Sequence, residues 1–199
     1  MFEKFKIKKQ RAKKGYSYMD LCDISYFFQT TFVKMIREFE EQKIGSPDLP
    51  FEEVDKFDVR WVNEEYNNII ESIKNFDWFK DYADEDTKEF SIYNHYIRWR
   101  LILRRIAYCL EQSSEDLCNE VNEYNEEYFK QKFGDADSFS DLLEPCEDNP
   151  NLYKIKDRKV NKSLERKFYK RENEIEKYRT KMKDEAFNLL SKYFFNLWD

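Results

Sequence analysis

The chain has 199 residues, of which 38% are charged and 18% are aromatic, and its formal net charge is −6. Only 3 glycines and 4 prolines occur, which leaves almost no room for glycine-rich phosphate loops and argues against a many-turned β sandwich or barrel. A chain of this length can bury enough surface to fold without a disulfide or metal. No stretch approaches about 18 consecutive apolar residues, so no transmembrane helix is predicted.

Charge is strongly segregated along the chain. Residues 1–14 carry 7 basic residues against 1 acid, residues 15–150 carry 14 against 32, and residues 151–199 carry 14 against 8. Three interpretations are open. The acidic middle is a solvated surface that keeps the protein soluble, the basic ends fold back on it, or it faces a basic partner.

Apolar residues recur at spacings of three and four over most of the chain, which is typical of amphipathic helices. A basic N-terminal arm covers residues 1–14. The helices are predicted over about 18–42, 59–76, 87–111, 113–134 and 161–197, with loop-like chain over 135–153. The middle helix, 87–111, is expected to be buried. The predicted fold class is therefore all-α, a single-domain helical bundle of five or six helices over 15–199 with a long C-terminal helix.

The last helix carries a seven-residue repeat of apolar side chains. Its members are Phe168, Ile175, Met182 and Leu189. Such a seam is suited to packing along another helix. If that second helix came from another copy of the chain, the protein would be a self-associating structural or assembly protein.

His95 is the only histidine, so no metal site with several histidines can be assembled, and a Ser-His-Asp or Cys-His arrangement would have to use this one residue. We expect a packed or surface histidine. The four cysteines show no CxxC spacing, and we expect free thiols in a reducing cytoplasm. They are Cys22, Cys109, Cys118 and Cys146. No cofactor, metal site or catalytic residue is predicted.

Four arginines lie close together in the helix predicted over 87–111. They are Arg98, Arg100, Arg104 and Arg105. A guanidinium group matches both phosphate and carboxylate geometry. These residues could therefore clamp an anionic ligand, although the structural interpretation, neutralisation of carboxylates on neighbouring helices, is preferred.

Glu120, Glu123 and Glu127 would share one face if residues 113–134 were helical. Carboxylates at such spacings coordinate Mg²⁺ in all-α nucleotide pyrophosphohydrolases. A Mg²⁺-dependent nucleotide hydrolase is therefore an alternative function, and loss of turnover on substitution of Glu120 or Glu123 would support it.

The order of several motifs is familiar. Gly15-Tyr16-Ser17 and Asp20 open a long helix, and the chain closes with Leu197-Trp198-Asp199. This pattern resembles a family of small helical proteins found in tailed phages and phage-like elements of bacteria. The resemblance covers about residues 15–76 and 186–199. It implies a phage-associated protein in the cytoplasm of a bacterial host and assigns no activity.

The leading hypothesis is a non-enzymatic phage-type protein that binds a host macromolecule, most simply a host protein, through an acidic face over 48–89 or 111–148. An inhibitor of a host defence system is one function of this kind. The expected partner-binding residues are an acidic and aromatic group, namely Asp77, Trp78, Phe79, Asp81, Tyr82, Asp84, Glu85 and Asp86. We expect no membrane contact, and no nucleic-acid contact except through the basic arm.

Overall fold

The computed structural model is helical for most of its length, which confirms the all-α class. It describes residues 2–14, 16–18, 24–42, 46–47, 51–74, 91–92, 94–135, 138–156 and 158–197. The longer α-helices in these ranges are Phe2–Lys14 (α1), Val33–Gln42 (α2), Val59–Ile73 (α3), His95–Gln112 (α4), Asn125–Phe133 (α5) and Lys162–Tyr193 (α6).

Shorter elements connect these helices. One turn at Ile24–Tyr26 and a π-helical stretch at Phe27–Phe32 lead directly into α2, so the helix predicted over 18–42 is present from residue 24 onward. The short 3₁₀ helices are Glu52–Lys56, Phe139–Leu142 and Phe194–Leu197. Two antiparallel strands, Leu143–Cys146 (β1) and Asn149–Ile155 (β2), form a small sheet.

The chain falls into two compact units. Unit 1 consists of Met1–Leu117 with Lys181–Asp199, and unit 2 consists of Cys118–Thr180. The first part of α6 therefore belongs to unit 2 and its last part to unit 1. This division does not test the prediction of a single domain over 15–199, which stays a prediction. Residues 2–14 of the basic arm form the helix α1.

Unit 1 is built around α4. This helix is apolar on several faces, and a helix of that kind is stable only when its whole circumference is covered. Ile97, Leu101 and Ile106 are fully buried, and both α2 and α3 pack against the helix. The expectation that this helix forms the buried middle of the fold is confirmed.

Asn94 begins α4, because its side-chain oxygen accepts a hydrogen bond from the Tyr96 amide at 2.9 Å. This is the standard N-cap geometry, which satisfies a free amide at a helix start. Residues 91, 92 and 94 are not helical. The predicted helix start near residue 87 is therefore wrong.

Phe51 has a left-handed backbone conformation, with φ of 40°, although it is not a glycine. Its ring is fully buried and stacks on Trp99 with a centroid distance of 5.6 Å. Tyr193 approaches the same ring, also at 5.6 Å. The Phe51 carbonyl accepts a hydrogen bond from Arg98 Nη2 at 2.7 Å. Both ends of the residue are thus held in place.

Unit 2 has its own small core. Tyr128 of α5 stacks almost parallel on Phe168 of α6, with 3.9 Å between the ring centroids. Leu164 completes the buried cluster. This pairing joins α5 to the first part of α6, as the amphipathic patterns of both segments require.

The helix predicted over 113–134 is wrong in its first half, because regular helix starts only at Asn125. Asn122 accepts a hydrogen bond from the Tyr124 amide and donates from Nδ2 to the Phe168 carbonyl at 3.2 Å. These contacts hold the preceding chain in a turn against α6. The predicted helix end at Gly134 is confirmed, with a φ of 85°.

The loop predicted over 135–153 is wrong where β1 and β2 form a hairpin. Leu143 lies opposite Ile155, and Pro145 lies opposite Tyr153. In a two-stranded sheet both strands are edges, and an edge strand tolerates proline because one side of it needs no ladder hydrogen bond. Pro145 is therefore compatible with its place in β1.

The seven-residue seam of α6 packs within the chain. Phe168 meets Tyr128 of α5, and Met182 Sδ lies 4.0 Å from Cys109 Sγ of α4. The prediction that this seam packs along another helix is confirmed for these two positions. In each case the partner helix belongs to the same chain.

Candidate interaction surfaces

The predicted partner-binding group, residues 77–86, lies outside the described residues. The assignment of Asp77, Trp78, Phe79, Asp81, Tyr82, Asp84, Glu85 and Asp86 stays a prediction. The described residues offer three other candidates, which are the arginine cluster of α4, the carboxylates of 118–133 and the outer face of α6.

Two of the α4 arginines share buried carboxylates. Arg100 pairs with Glu40 of α2, and both side chains are almost completely buried. Arg104 Nε lies 3.1 Å from the same Glu40 oxygen, and its Nη1 lies 2.6 Å from Glu65 Oε2 of α3. Two cations and two carboxylates therefore compensate each other between three helices.

The other two arginines are also paired. Arg98 donates to Asp55 Oδ1 at 3.0 Å, and Arg105 donates from Nε and Nη2 to both oxygens of Glu185 at 2.6 and 3.0 Å. The Arg105 guanidinium also lies over the Trp61 ring at 5.0 Å. The structural interpretation of the four arginines is confirmed, because each binds a carboxylate from a distant part of the chain.

A cavity of about 220 Å³ lies beside Arg98 in unit 1. Its lining combines apolar side chains with one ion pair, and consists of Val54, Asp55, Phe57, Val59, Val62, Asn63, Ile92 and Arg98. Because Asp55 already lies 2.9 Å from Arg98 Nη2, the charge of the guanidinium is compensated there. The cavity thus presents mainly an apolar wall.

His95 is exposed at the first turn of α4. The centroids of the His95 and Phe51 rings are 6.0 Å apart, and the two rings meet edge to face. This matches the expectation of a packed or surface histidine. Cys109, in contrast, is fully buried, and burial raises the pKa of its thiol to about 12. Cys109, Cys118 and Cys146 are free thiols, while Cys22 lies outside the described residues.

The geometry assumed for a magnesium site is wrong. Glu120 and Glu123 precede α5 and are not helical, so they do not share a helix face with Glu127. Both are bound by Arg171, whose Nη2 lies 2.5 Å from Glu120 and whose Nε lies 3.3 Å from Glu123. In the described ranges, no group of three or more His, Cys, Asp and Glu side chains is placed to hold a metal ion.

Acidic and apolar side chains are exposed together over 118–133. Val121 is 68% exposed and Phe129 is 44% exposed. Glu126 and Glu127 lie between Val121 and Phe129 in sequence. Both are exposed, and both belong to the first turn of α5. Exposed apolar side chains near exposed charges are the kind of composition found at the centre and rim of protein interfaces.

The sequence hypotheses missed a row of basic residues on α6. Lys162, Arg166, Lys170 and Lys177 are spaced at 4, 4 and 7 residues, and all four are exposed. The same spacing count that identified the apolar seam could have found them.

No family model, curated protein or solved structure matches this chain. Among the described residues, none of the helices combines the length and the apolar character needed to cross a membrane.

Proposed function

We propose that this protein is a binding protein of phage type that docks on a basic surface of a host protein through residues 118–133 of unit 2. The observation that carries the proposal is the exposure of Val121 and Phe129 in the same short segment as the exposed side chains of Glu126 and Glu127. Residues 77–86 are a second acidic and aromatic segment of the same chemistry and could extend the contact.

The physical argument combines two terms. Burial of exposed apolar surface on a partner contributes about 25 cal/mol per Å², and this favours complexes that cover Val121 and Phe129. The carboxylates of Glu126 and Glu127 add long-range attraction to a basic partner, which raises the association rate and makes it sensitive to salt. An inhibitor of a host nucleic-acid-binding protein would use both terms.

Arg171 holds the backbone and two side chains of this surface in place. It binds Glu120 and Glu123 and also donates from Nε to the Val121 carbonyl at 3.1 Å. The chain that carries Val121 is therefore fixed in position although it is not helical. A fixed surface loses less conformational entropy on binding than a mobile one.

The test is an affinity pull-down of the tagged protein from a bacterial host lysate, washed at low and moderate salt. Glu126→Gln/Glu127→Gln and Val121→Ser variants are compared with the wild type. We expect one stoichiometric, salt-sensitive host protein whose recovery falls in both variants. Glu38→Gln/Glu41→Gln on the exposed side of α2 removes the same charge elsewhere and serves as the matched control.

Circular dichroism spectra establish that each variant is folded before recovery is compared. Recovery of the tagged protein alone, at low salt, would contradict the proposal. An equal loss of recovery in the α2 control would show that the attraction depends on net charge and not on residues 118–133.

A further inference from the structure

We infer that the outer face of the first part of α6 binds the phosphate backbone of double-stranded DNA without reading its sequence. This inference is independent of the proposed function, because it uses other residues of unit 2 and a partner of opposite charge. It rests on the row formed by Lys162, Arg166, Lys170 and Lys177, called the basic row below.

The basic row is straight and narrow. At about 100° and 1.5 Å per residue, its four members fall within an arc of roughly 80° and extend over roughly 22 Å along α6. Over that length a DNA duplex presents about one phosphate charge per 1.7 Å of its axis. A single helix face of this length can therefore contact several phosphates at once.

Three of the four acids between residues 162 and 180, Glu172, Glu174 and Glu176, contact other polar side chains. Glu172 accepts a hydrogen bond from Asn122 Nδ2 at 2.6 Å, and Glu176 lies 3.5 Å from Arg179. Glu174 lies 3.7 Å from Arg171 and 3.8 Å from Lys170. The contact to Lys170 is the one link between these acids and the row, and it is long and exposed.

Three members of the row keep their charge uncompensated. In the part of the chain that the structure describes, Lys162, Arg166 and Lys177 form no ion pair. Their heads are exposed, so contact with a phosphate would cost little desolvation of protein groups. The counterions released from the DNA would supply the favourable free energy.

Another face of this part of α6 packs within unit 2. Phe168 lies roughly 120° to 180° around the helix axis from the members of the row and is stacked on Tyr128. Arg171 is bound to Glu120 and Glu123. Because Arg171 lies roughly 100° or more around the helix axis from every member of the row, Glu120 and Glu123 are held away from the row.

A duplex fits this face better than a single strand. Proteins that bind single strands stack successive bases on several aromatic rings. Tyr169 is the aromatic residue at the edge of the row, and its hydroxyl is hydrogen-bonded to that of Tyr128 at 3.1 Å. The row itself offers cations at regular intervals, which positions a phosphate backbone and specifies no base.

The test is fluorescence anisotropy with a labelled duplex of about 24 base pairs and the full chain, titrated between 50 and 200 mM salt. Four phosphate contacts predict a slope of log K against log salt near −3.6, or a loss of about 150-fold over that range. Lys162→Gln/Arg166→Gln should halve the slope, so that the same change of salt costs only about 12-fold. Duplexes of unrelated sequence should behave alike.

A matched control removes two exposed lysines of unit 1, Lys34→Gln/Lys56→Gln, and should leave the slope unchanged. The second pair, Lys170→Gln/Lys177→Gln, provides an independent variant if the first does not fold. Lys162→Arg/Arg166→Lys keeps both charges and should retain binding.

Three outcomes would overturn the inference. The first is no binding at 50 mM salt, and the second is an equal loss of DNA affinity in the unit 1 control. The third is binding that persists in both row variants but is abolished by Lys8→Gln/Lys9→Gln in α1. Polyglutamate that competes as well as DNA at equal charge would assign the row to an acidic polypeptide. None of these results depends on the pull-down, so the two proposals fail separately.

Discussion

Glu40 and Arg100 lie sixty residues apart in sequence and form a buried ion pair between α2 and α4. Arg104 binds the same carboxylate. Removing one partner of a buried pair leaves an uncompensated charge, which costs about 3–5 kcal/mol. We therefore expect Glu40→Ala to lower the free energy of unfolding by that amount in urea denaturation.

The exposed neighbour Glu41 provides the control for this prediction. Glu41→Ala removes the same charge from the same helix, and surface substitutions of this kind change stability by about 0.5 kcal/mol or less. Equal effects of the two substitutions would show that the buried pair has no special role in stability.

A second prediction concerns acid stability. Partial burial alone would raise the pKa of Glu53, but hydrogen bonds from Lys192 and Tyr193 dominate and lower it from 4.5 to about 2. A depressed folded-state pKa stabilises the protein above the unfolded value. This contribution is complete above about pH 4.5 and is lost as the pH falls from there toward 2.

Urea denaturation between pH 6 and 2 measures this effect. The wild type should lose more stability over pH 4.5 to 2 than Glu53→Gln, which has no carboxylate to protonate. Parallel curves for the two proteins would contradict the assigned pKa. Tyr193→Phe, which removes the hydroxyl that donates to Glu53 at 2.5 Å, should show an intermediate dependence.

A third prediction addresses the stacked pair in unit 2. Phe168→Ala removes the ring that lies 3.9 Å from Tyr128, and loss of a buried phenylalanine costs about 3–5 kcal/mol. If the two units unfold separately, hydrogen exchange should accelerate in α5 and remain slow in α4. Acceleration in both helices to the same extent would show one cooperative domain, as the sequence predicts.

A fourth prediction concerns thiol reactivity. Burial raises the pKa of Cys109 to about 12, and only the thiolate reacts with alkylating reagents. At pH 8, iodoacetamide should modify the partly exposed Cys118 and Cys146 in the folded protein and leave Cys109 intact until denaturant is added. Peptide mass spectrometry distinguishes the sites, and rapid modification of Cys109 without denaturant would contradict its placement.

The sequence predicted those parts of the fold that depend on local periodicity. The stripes of α3 and α6 each identified a helix within a few residues of its observed bounds, and the continuous apolar character of α4 identified its burial and its end but not its start. The chain before α5 was different. Its carbonyl at Val121 and the side chain of Asn122 bond to α6, and such distant partners leave no trace in local spacing.

The candidate surfaces were predicted less well for the same reason. The excess of carboxylates in the sequence predicted that the four arginines would form ion pairs. It did not predict which carboxylates they bind, because the partners lie up to 80 residues away, as Glu185 does from Arg105. The basic row of α6 required only the spacing of its own residues and could have been predicted. Its free charge depends on where Glu172 and Glu174 bind, which only the structure provides.

The left-handed backbone at Phe51 has a consequence for how the protein tolerates substitution. Holding a bulky residue in this conformation costs about 1–3 kcal/mol, and the stack on Trp99 and the bond from Arg98 offset that cost. Glycine would suit the backbone but leave the aromatic stack without its central ring, and isoleucine would fill space while worsening the backbone strain. No ordinary residue improves both terms together, so a saturation library at position 51 should retain fewer functional substitutions than one at any exposed position of α3.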